Sequence, residues 1–487
     1  MRISSIIPCV RNANGSGHEQ RRQTDGPGKD EVNRMNDFRK TAQEMLEFIR
    51  ISPTCFHAVA NIGRMLEAAG FQQLQEKEEW KLEKGGRYYT ERNDSSVIVF
   101  VIPEKEVGIR GFHMAAAHSD SPCFKIKEKP ELTVEEHYLR LNTEKYGGMI
   151  LSTWLDRPLS VAGRLAVKNG NGIEGRLVNI DRDLCVIPNV AIHMNREMNK
   201  GVEYNPQVDL LPLLADVSFD EYDTHTTYDA QTASENAEEQ PETVEKPTLA
   251  ALAAEAAGVD AETILGEDLF LYTRQEGKMI GAKGEFVLSP RLDDLQSAFA
   301  LTKAFTESTP AEYINVCAVF DNEEVGSGTR QGADSTFLED ILQRIAEGLQ
   351  ADHSSYLRWV ADSFLISADN AHAVHPNHPE KADPANRPYL NGGIVIKYHG
   401  SQKYTTDGIS AAKMKDYCER AKVPYQTYAN RSDIAGGSTL GNISTAHVSV
   451  SSVDIGLPQL AMHSAVETAG MKDTEYAVRA LKEFWGE

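Results

Sequence analysis

Five short segments of this 487-residue chain share one layout: an apolar run, or its immediate exit, that ends in histidine, aspartate or glutamate. They are Met114–His118 with Asp120 two residues on, Ser289–Asp294, Val319–Glu324, Ile366–His372 and Leu460–His463. Two imidazoles and several carboxylates form a donor set that suits zinc, cobalt or manganese. A pair of such ions needs a bridging carboxylate and terminal ligands for each, and it clamps both sides of a hydrolytic transition state at a spacing of about 3.5–4 Å. A further carboxylate must stay free to take a proton from water. The adjacent Glu323 and Glu324 can meet both needs, because consecutive side chains point in different directions. Each piece alone is ordinary. A histidine at a strand end is commonly a hydrogen-bonded core or surface residue, and an aspartate at a strand exit commonly caps a turn. The coincidence of five is what points to a metal centre.

Such residues converge only if the strands that carry them lie side by side, since ligands collect at the carboxyl ends of parallel strands. The pattern supports this. Apolar residues at Phe38, Ala42, Met45 and Ile49 make a helical stripe, and Val59, Ile62, Leu66 and Ala69 make a second, stopped by Gly70. Val97–Ile102 and Gly111–Ala117 read as buried strands. From about residue 277 strands and helices alternate: helix from Leu292, strand Ile314–Phe320, helix from Ser335, strands Phe364–Ala368 and Ile394–Lys397, helix from Ser410, strand Val448–Val453 and a last helix to Trp485. That rhythm predicts an α/β fold with a helix-covered, largely parallel mixed sheet. Residues 126–276 break it with short β-like runs and glycine-rich turns. The expected organisation is therefore a discontinuous α/β unit, 35–125 with 277–487, interrupted by a β-rich insertion at 126–276. Within the insertion, an Ala-rich helix Leu249–Ala257 has Gly258 as its C-cap. Residues 1–34 are polar and aperiodic and read as a disordered extension. Met35, just before the first helix, is a candidate start.

Lys plus Arg number 50 and Asp plus Glu 72, a formal net charge of −22. A body so acidic repels phosphate backbones and anionic membrane surfaces, which excludes nucleic acid and membranes as expected partners. The stretch Asp220–Lys246 holds nine acidic residues and one basic, and reads as a solvated loop. No apolar run of 18 residues exists and the first ten residues lack a signal-peptide core, so a cytoplasmic location is expected. The six cysteines are scattered without a C-x-x-C pair, as reduced thiols would be. There is no H-E-x-x-H, no G-x-S-x-G and no phosphate loop.

The motifs His118-Ser-Asp120-Ser-Pro, Arg291-Leu-Asp293, Asp321-Asn-Glu323-Glu324-Val-Gly-Ser, Ser367-Ala-Asp369-Asn-Ala-His372-Ala-Val-His375 and Gln459-Leu-Ala-Met-His463-Ser resemble those of the aspartyl aminopeptidases, dinuclear zinc exopeptidases, over about residues 36–487. The resemblance implies the zinc-exopeptidase fold and two divalent ions per chain. Asp293 would bridge them, His118 and Asp369 would bind one, and Glu324 and His463 the other. Glu323 would be the general base and then the acid for the leaving amine. Asp120 would orient His118. A water held between the two ions would attack the peptide carbonyl. The family's insertion mediates dimerisation and donates a histidine to the neighbouring subunit's site. That histidine matches His193 here, which by itself reads as a strand residue. The family assembles as a tetrahedral dodecamer built from dimers. Its specificity lysine matches Lys397, with His372 and His375 nearby, and implies an acidic (Asp or Glu) N-terminal residue in peptide substrates. The stretch Ser432–Thr439, with Ser438, offers backbone N–H groups at a helix start for substrate polar atoms.

Other readings remain open from sequence. A neutral, Leu-type preference occurs among relatives. A dinuclear amidase or deacylase of amino-acid conjugates would use the same ligands. A non-catalytic scaffold would need none of them.

Overall fold

Strands covered on both faces need apolar side chains on both, and the strand Ser96–Val101 meets that condition throughout. Val97, Val99 and Val101 pack to one side, while Ile98, Phe100 and the following Ile102 pack to the other. The computed structural model describes residues 29–104, 108–217, 219, 248–437 and 439–487. Ser96–Val101 belongs to a nine-stranded sheet. Its order is Gln72–Gln73, Arg87–Arg92, Ser96–Val101, Ile314–Phe320, Phe112–His118, Phe364–Ala368, Ser451–Gly456, Ile394–Tyr398 and Tyr425–Ala429. The four strands from Ile314–Phe320 to Ser451–Gly456 are mutually parallel and are flanked on each side by an antiparallel pairing, while the two edge pairings are parallel again.

Helices Lys29–Arg50, Cys55–Ala68, Leu292–Thr306, Gly408–Ala421 and Asp473–Trp485 cover one face. Phe337–Gly348, His353–Ala361 and Leu440–His447 cover the other. The expected α/β fold with a helix-covered, largely parallel mixed sheet is what the chain adopts.

A second sheet is wholly antiparallel. Its six strands, in the order Gly172–Asn179, Leu159–Asn169, Ile264–Thr273, Cys123–Val134, Tyr138–Tyr146 and Leu213–Asp216, enclose their own core around Phe124, Leu141, Leu159 and Leu269. Helix Leu249–Ala257 packs onto it through Leu249 and Ala253. Gly258 closes that helix in the left-handed region, at φ 65°, where a side chain would be strained. A third sheet of five short strands, Lys278–Ile280, Phe286–Ser289, Glu467–Gly470, Pro458–Leu460 and Ala371–His372, was not foreseen from sequence.

Two details differ from expectation. The first helix begins at Lys29, inside the stretch expected to be disordered. Lys, Glu, Arg and Met are good helix formers, and the turn carrying Met35 packs on the core, so the helix extends outward from there. Residues 1–28 and the acidic stretch 220–246 lie outside the described residues. The strand expected at Val448–Val453 runs Ser451–Gly456, because helix Leu440–His447 and its C-cap Val448 occupy the earlier positions. Among the described residues no helix is long and apolar enough to cross a membrane, and five cysteines are free.

Candidate metal centre

Three adjacent parallel strands place half of the site. His118 is the last residue of Phe112–His118 and pairs in register with Phe320. Glu323 and Glu324 sit in the tight turn after Ile314–Phe320, entered through Asn322 at φ 63°. Asp369 directly follows Phe364–Ala368. The small sheet supplies the rest. Asp293 follows Phe286–Ser289 at the start of helix Leu292–Thr306, and His463 lies in a turn beyond Pro458–Leu460 at φ 65°. One buried carboxylate ties these two together. Glu467 accepts the Asp293 N–H at 3.0 Å and the His463 N–H at 2.7 Å.

The side chains converge around Asp293. Its Oδ1 is 3.5 Å from His118 Nε2, and its Oδ2 is 3.5 Å from His463 Nε2. His463 Nε2 is also 3.3 Å from Glu324 Oε1. Two tetrahedral zinc ligands with bonds of about 2.0–2.1 Å stand about 3.3–3.4 Å apart, so these separations are those of ligands sharing an ion. Ligand atoms of His118, Asp293, Asp294 and Asp369 lie within 4.8 Å of one another, as do those of Asp293, Glu324 and His463. Asp293 belongs to both groups. Asp293 Oδ1 and Glu324 Oε1 are buried without a hydrogen-bond donor. Leaving charged oxygens so is costly, and a cation removes the cost. The residues therefore fit divalent metal.

Both histidines are held from behind. His118 Nδ1 lies 3.1 Å from the Asp120 carbonyl oxygen and 3.3 Å from its Oδ1. His463 Nδ1 donates to the Gly148 carbonyl at 2.6 Å. Such contacts turn each Nε2 toward the centre. Asp120 does more than expected: its carboxylate also accepts the N–H groups of Glu323 and Glu324, each at 3.1 Å.

Burial pushes Glu323 up to about 8 and Glu324 up to about 7. Burial also acts on Asp293, but the imidazoles of His118 and His463 overcome it and hold the carboxyl below its ordinary range. Burial opposes the His463 imidazolium, yet the Asp293 and Glu324 carboxylates raise it to about 11. A divalent ion among these groups would displace the imidazole protons, because the nitrogen ligates through its lone pair.

The centre opens into a cavity of about 300 Å³, lined also by Glu323, His372, Lys397, Tyr404, Tyr428 and Thr439. That is room for a ligand of a few residues and not for a folded protein. Lys397 is buried; its Nζ donates to the carbonyls of Asp369 (2.8 Å) and Asn370 (3.3 Å) and lies 3.6 Å from Asp369 Oδ2. His372 thus joins the cavity. His375 instead lines a neighbouring hollow with His378 and Lys381. Ser438 lies outside the described residues, between Gly437 and Thr439, which line the cavity. His193 is exposed, in a turn and not a strand, and does not line its own chain's cavity.

Glu467, Tyr146 and Gly148 were given no role at the centre from sequence, and Asp294 only a place at the end of the Ser289–Asp294 segment. Asp294 accepts the His118 N–H at 3.2 Å. A carboxylate isolated in the run Ala465–Ala469 was the one available sign of Glu467.

Comparison with known proteins places the chain among zinc peptidases. The family model described as "Aminopeptidase I zinc metalloprotease (M18)" matches residues 48–485. The probable M18 family aminopeptidase 2 of Clostridium novyi is 47% identical over 448 residues, 92% of this chain and 98% of the relative. A cryo-EM structure of the Ape4 and Nbr1 complex superposes with a TM-score of 0.84 at 36% identity, covering 93% of this chain and 86% of that one. The structure of the S. cerevisiae mApe1 dodecamer does so with 0.76 at 25% identity, covering 92% and 97%.

Proposed function

The chain belongs to the M18 family of zinc aminopeptidases, and from that premise we propose that it removes N-terminal residues, acidic ones by preference, from peptides at a centre of two divalent metal ions. The observation that carries the two-ion reading is Asp293, which turns one carboxylate oxygen to each histidine at 3.5 Å. His118 and Asp369 would hold one ion, Glu324 and His463 the other, and Asp293 both. When bound, the ions (zinc first, cobalt or manganese as substitutes) polarise the scissile carbonyl and make water nucleophilic near neutral pH.

The chain's own residues do the rest. Glu323 lines the cavity beside this set and takes the proton that the attacking water loses. It then delivers that proton to the amine as the C–N bond breaks. Asp120 keeps His118 in its ligating orientation. Lys397 brings a buried positive charge to the cavity, with His372 beside it, and this supports an acidic P1 side chain. Ser438 would add a polar contact, and His375 a more distant one. A Leu-type preference is the second reading, favoured by the two carbonyls that already occupy Lys397 Nζ.

We assign residues 126–276 to assembly. His193 stands exposed among Val190, Ile192 and Met194, which are 49%, 46% and 82% exposed. Apolar exposure of that kind suits a protein interface. Through it copies would pair, His193 would stabilise the oxyanion in the neighbouring copy's site, and the pairs would close into a tetrahedral dodecamer. Free cysteines support a reducing compartment such as the cytoplasm.

The test is hydrolysis of Asp- and Leu-p-nitroanilide with zinc or cobalt, before and after chelation. Chelation should abolish hydrolysis and metal should restore it. Activity indifferent to chelation refutes the mechanism, and faster release of Leu than Asp selects the second reading.

A further inference from the structure

The metal centre touches a third body, the antiparallel six-stranded sheet. Residues 146–148 leave its strand Tyr138–Tyr146 and meet the centre at three points. Tyr146 Oη donates to Asp120 Oδ2 at 2.7 Å and accepts from Asn322 Nδ2 at 2.9 Å. Asp120 is the carboxylate that faces His118 and takes the N–H groups of Glu323 and Glu324. Gly147, at φ 77°, lies so close to the same turn that a Cβ there would stand 3.1 Å from Glu324 Cβ. Gly148 offers the carbonyl to which His463 Nδ1 donates, and Ile150 N donates to the His463 carbonyl at 2.9 Å. A carbonyl oxygen can only accept. His463 Nδ1 therefore keeps its proton, which leaves Nε2 as the nitrogen that would ligate an ion where Asp293 and Glu324 converge.

We infer that Tyr146–Gly148 is a positioning element of the metal centre, which makes metal affinity and turnover depend on the seating of the six-stranded sheet. This rests on the metal reading given above. The element grips the centre from two sides of the chain: the Glu323–Glu324 turn through Asp120, and His463 directly. A shift of the sheet therefore moves ligands that the nine-stranded sheet does not hold by itself.

The experiment uses the full chain. Zinc affinity is measured by competition with a chromogenic chelator, beside kcat and KM on Asp-p-nitroanilide and the melting temperature of the zinc-free chain. Tyr146→Phe keeps the ring against Phe270, 5.6 Å between centroids, and removes only the hydroxyl. Zinc affinity and kcat should each fall about 10–100-fold with KM changed by less than about twofold, as for other groups that orient ligands from behind. The zinc-free melting temperature should stay near that of the unaltered chain. Gly147→Ala adds strain at positive φ and a contact with Glu324, and should weaken zinc further. Tyr146→Phe with unchanged zinc affinity and kcat overturns the inference, as does a drop in zinc-free stability without a change in zinc affinity. If Gly147→Ala does not fold, Tyr146→Phe decides alone. An unaltered chain that takes up no zinc overturns the metal reading, and with it this inference.

Discussion

The two halves of the metal centre are built in unlike ways. His118, Glu323, Glu324 and Asp369 stand at the ends of strands five to seven residues long, parallel, adjacent and roofed by helices on both faces. The backbone ladder sets the strand ends side by side, and the Asp120 carboxylate then fixes the Glu323–Glu324 turn beyond them. Asp293 and His463 hang from strands of four and three residues in a separate sheet. Ladders so short specify little, and here a side chain does the aligning: Glu467 accepts both backbone N–H groups from its two carboxylate oxygens. Where secondary structure is long, position comes with the fold; where it is short, a buried polar group must supply it.

The largest effect should come from the residue where the halves meet. Asp293→Ala removes the group that faces both histidines. Turnover should drop about 10⁴-fold or more, with less than the wild-type metal content by atomic absorption. A variant that keeps full metal and turnover would break the comparison at its centre. Next is Glu323→Gln, in the long-strand half, which should lower kcat about 10³-fold while leaving both metals bound. Full activity in that variant removes the base assignment.

The two carboxylate clamps offer the sharpest test. Glutamine at 467 has one carbonyl oxygen and so satisfies only one of the two N–H groups. Glu467→Gln should weaken zinc about 10–100-fold, and Asp120→Asn should fall toward the lower end of that range, because strand register still holds His118 and Glu324. Chelator competition on both variants would show the order, and a reversed order would contradict the difference between the halves.

The last prediction concerns the framework of the long-strand half and leaves the metal ligands untouched. His113, on the His118 strand, is stacked between the rings of Tyr313 and Phe484, at 3.7 and 4.6 Å. Burial lowers its pKa to about 3. Between about pH 6.5 and 3 the unfolded chain binds a proton that the folded chain refuses, so stability is lost as pH falls, at about 1.4 kcal/mol per unit. Denaturant melts of the wild type and His113→Phe across this range should diverge, the variant losing less. Parallel curves would refute the assignment.

The same contrast explains what could be read in the sequence. The strands Phe112–His118, Ile314–Phe320 and Phe364–Ala368 announce themselves as mainly apolar runs, because both faces are buried, and their ends mark His118, Glu323, Glu324 and Asp369. The small sheet has strands of two to four residues, below the length at which any period can be seen. Asp293 and His463 were legible through the motifs around them, but the sheet that carries them was not. Glu467, Tyr146 and Gly148 bond to residues far away in sequence (Asp293, Asn322 and His463), and pairings of that kind leave no local trace. His193 reads as a strand residue and lies in a turn, where the N–H groups of Met194 and Asn195 both donate to the Ala191 carbonyl.

The ligands also set a clock. His118 and His463 are separated by 345 residues of chain, and at roughly 5–20 residues per second a ribosome needs about 20–70 s to add them. Through that interval the nascent chain can fold its early strands, yet its metal site stays incomplete until His463 is made. A newly made hydrolase of this design is thus inert while it is being synthesised, and gains the means to cut peptides only when its last strands close over the first.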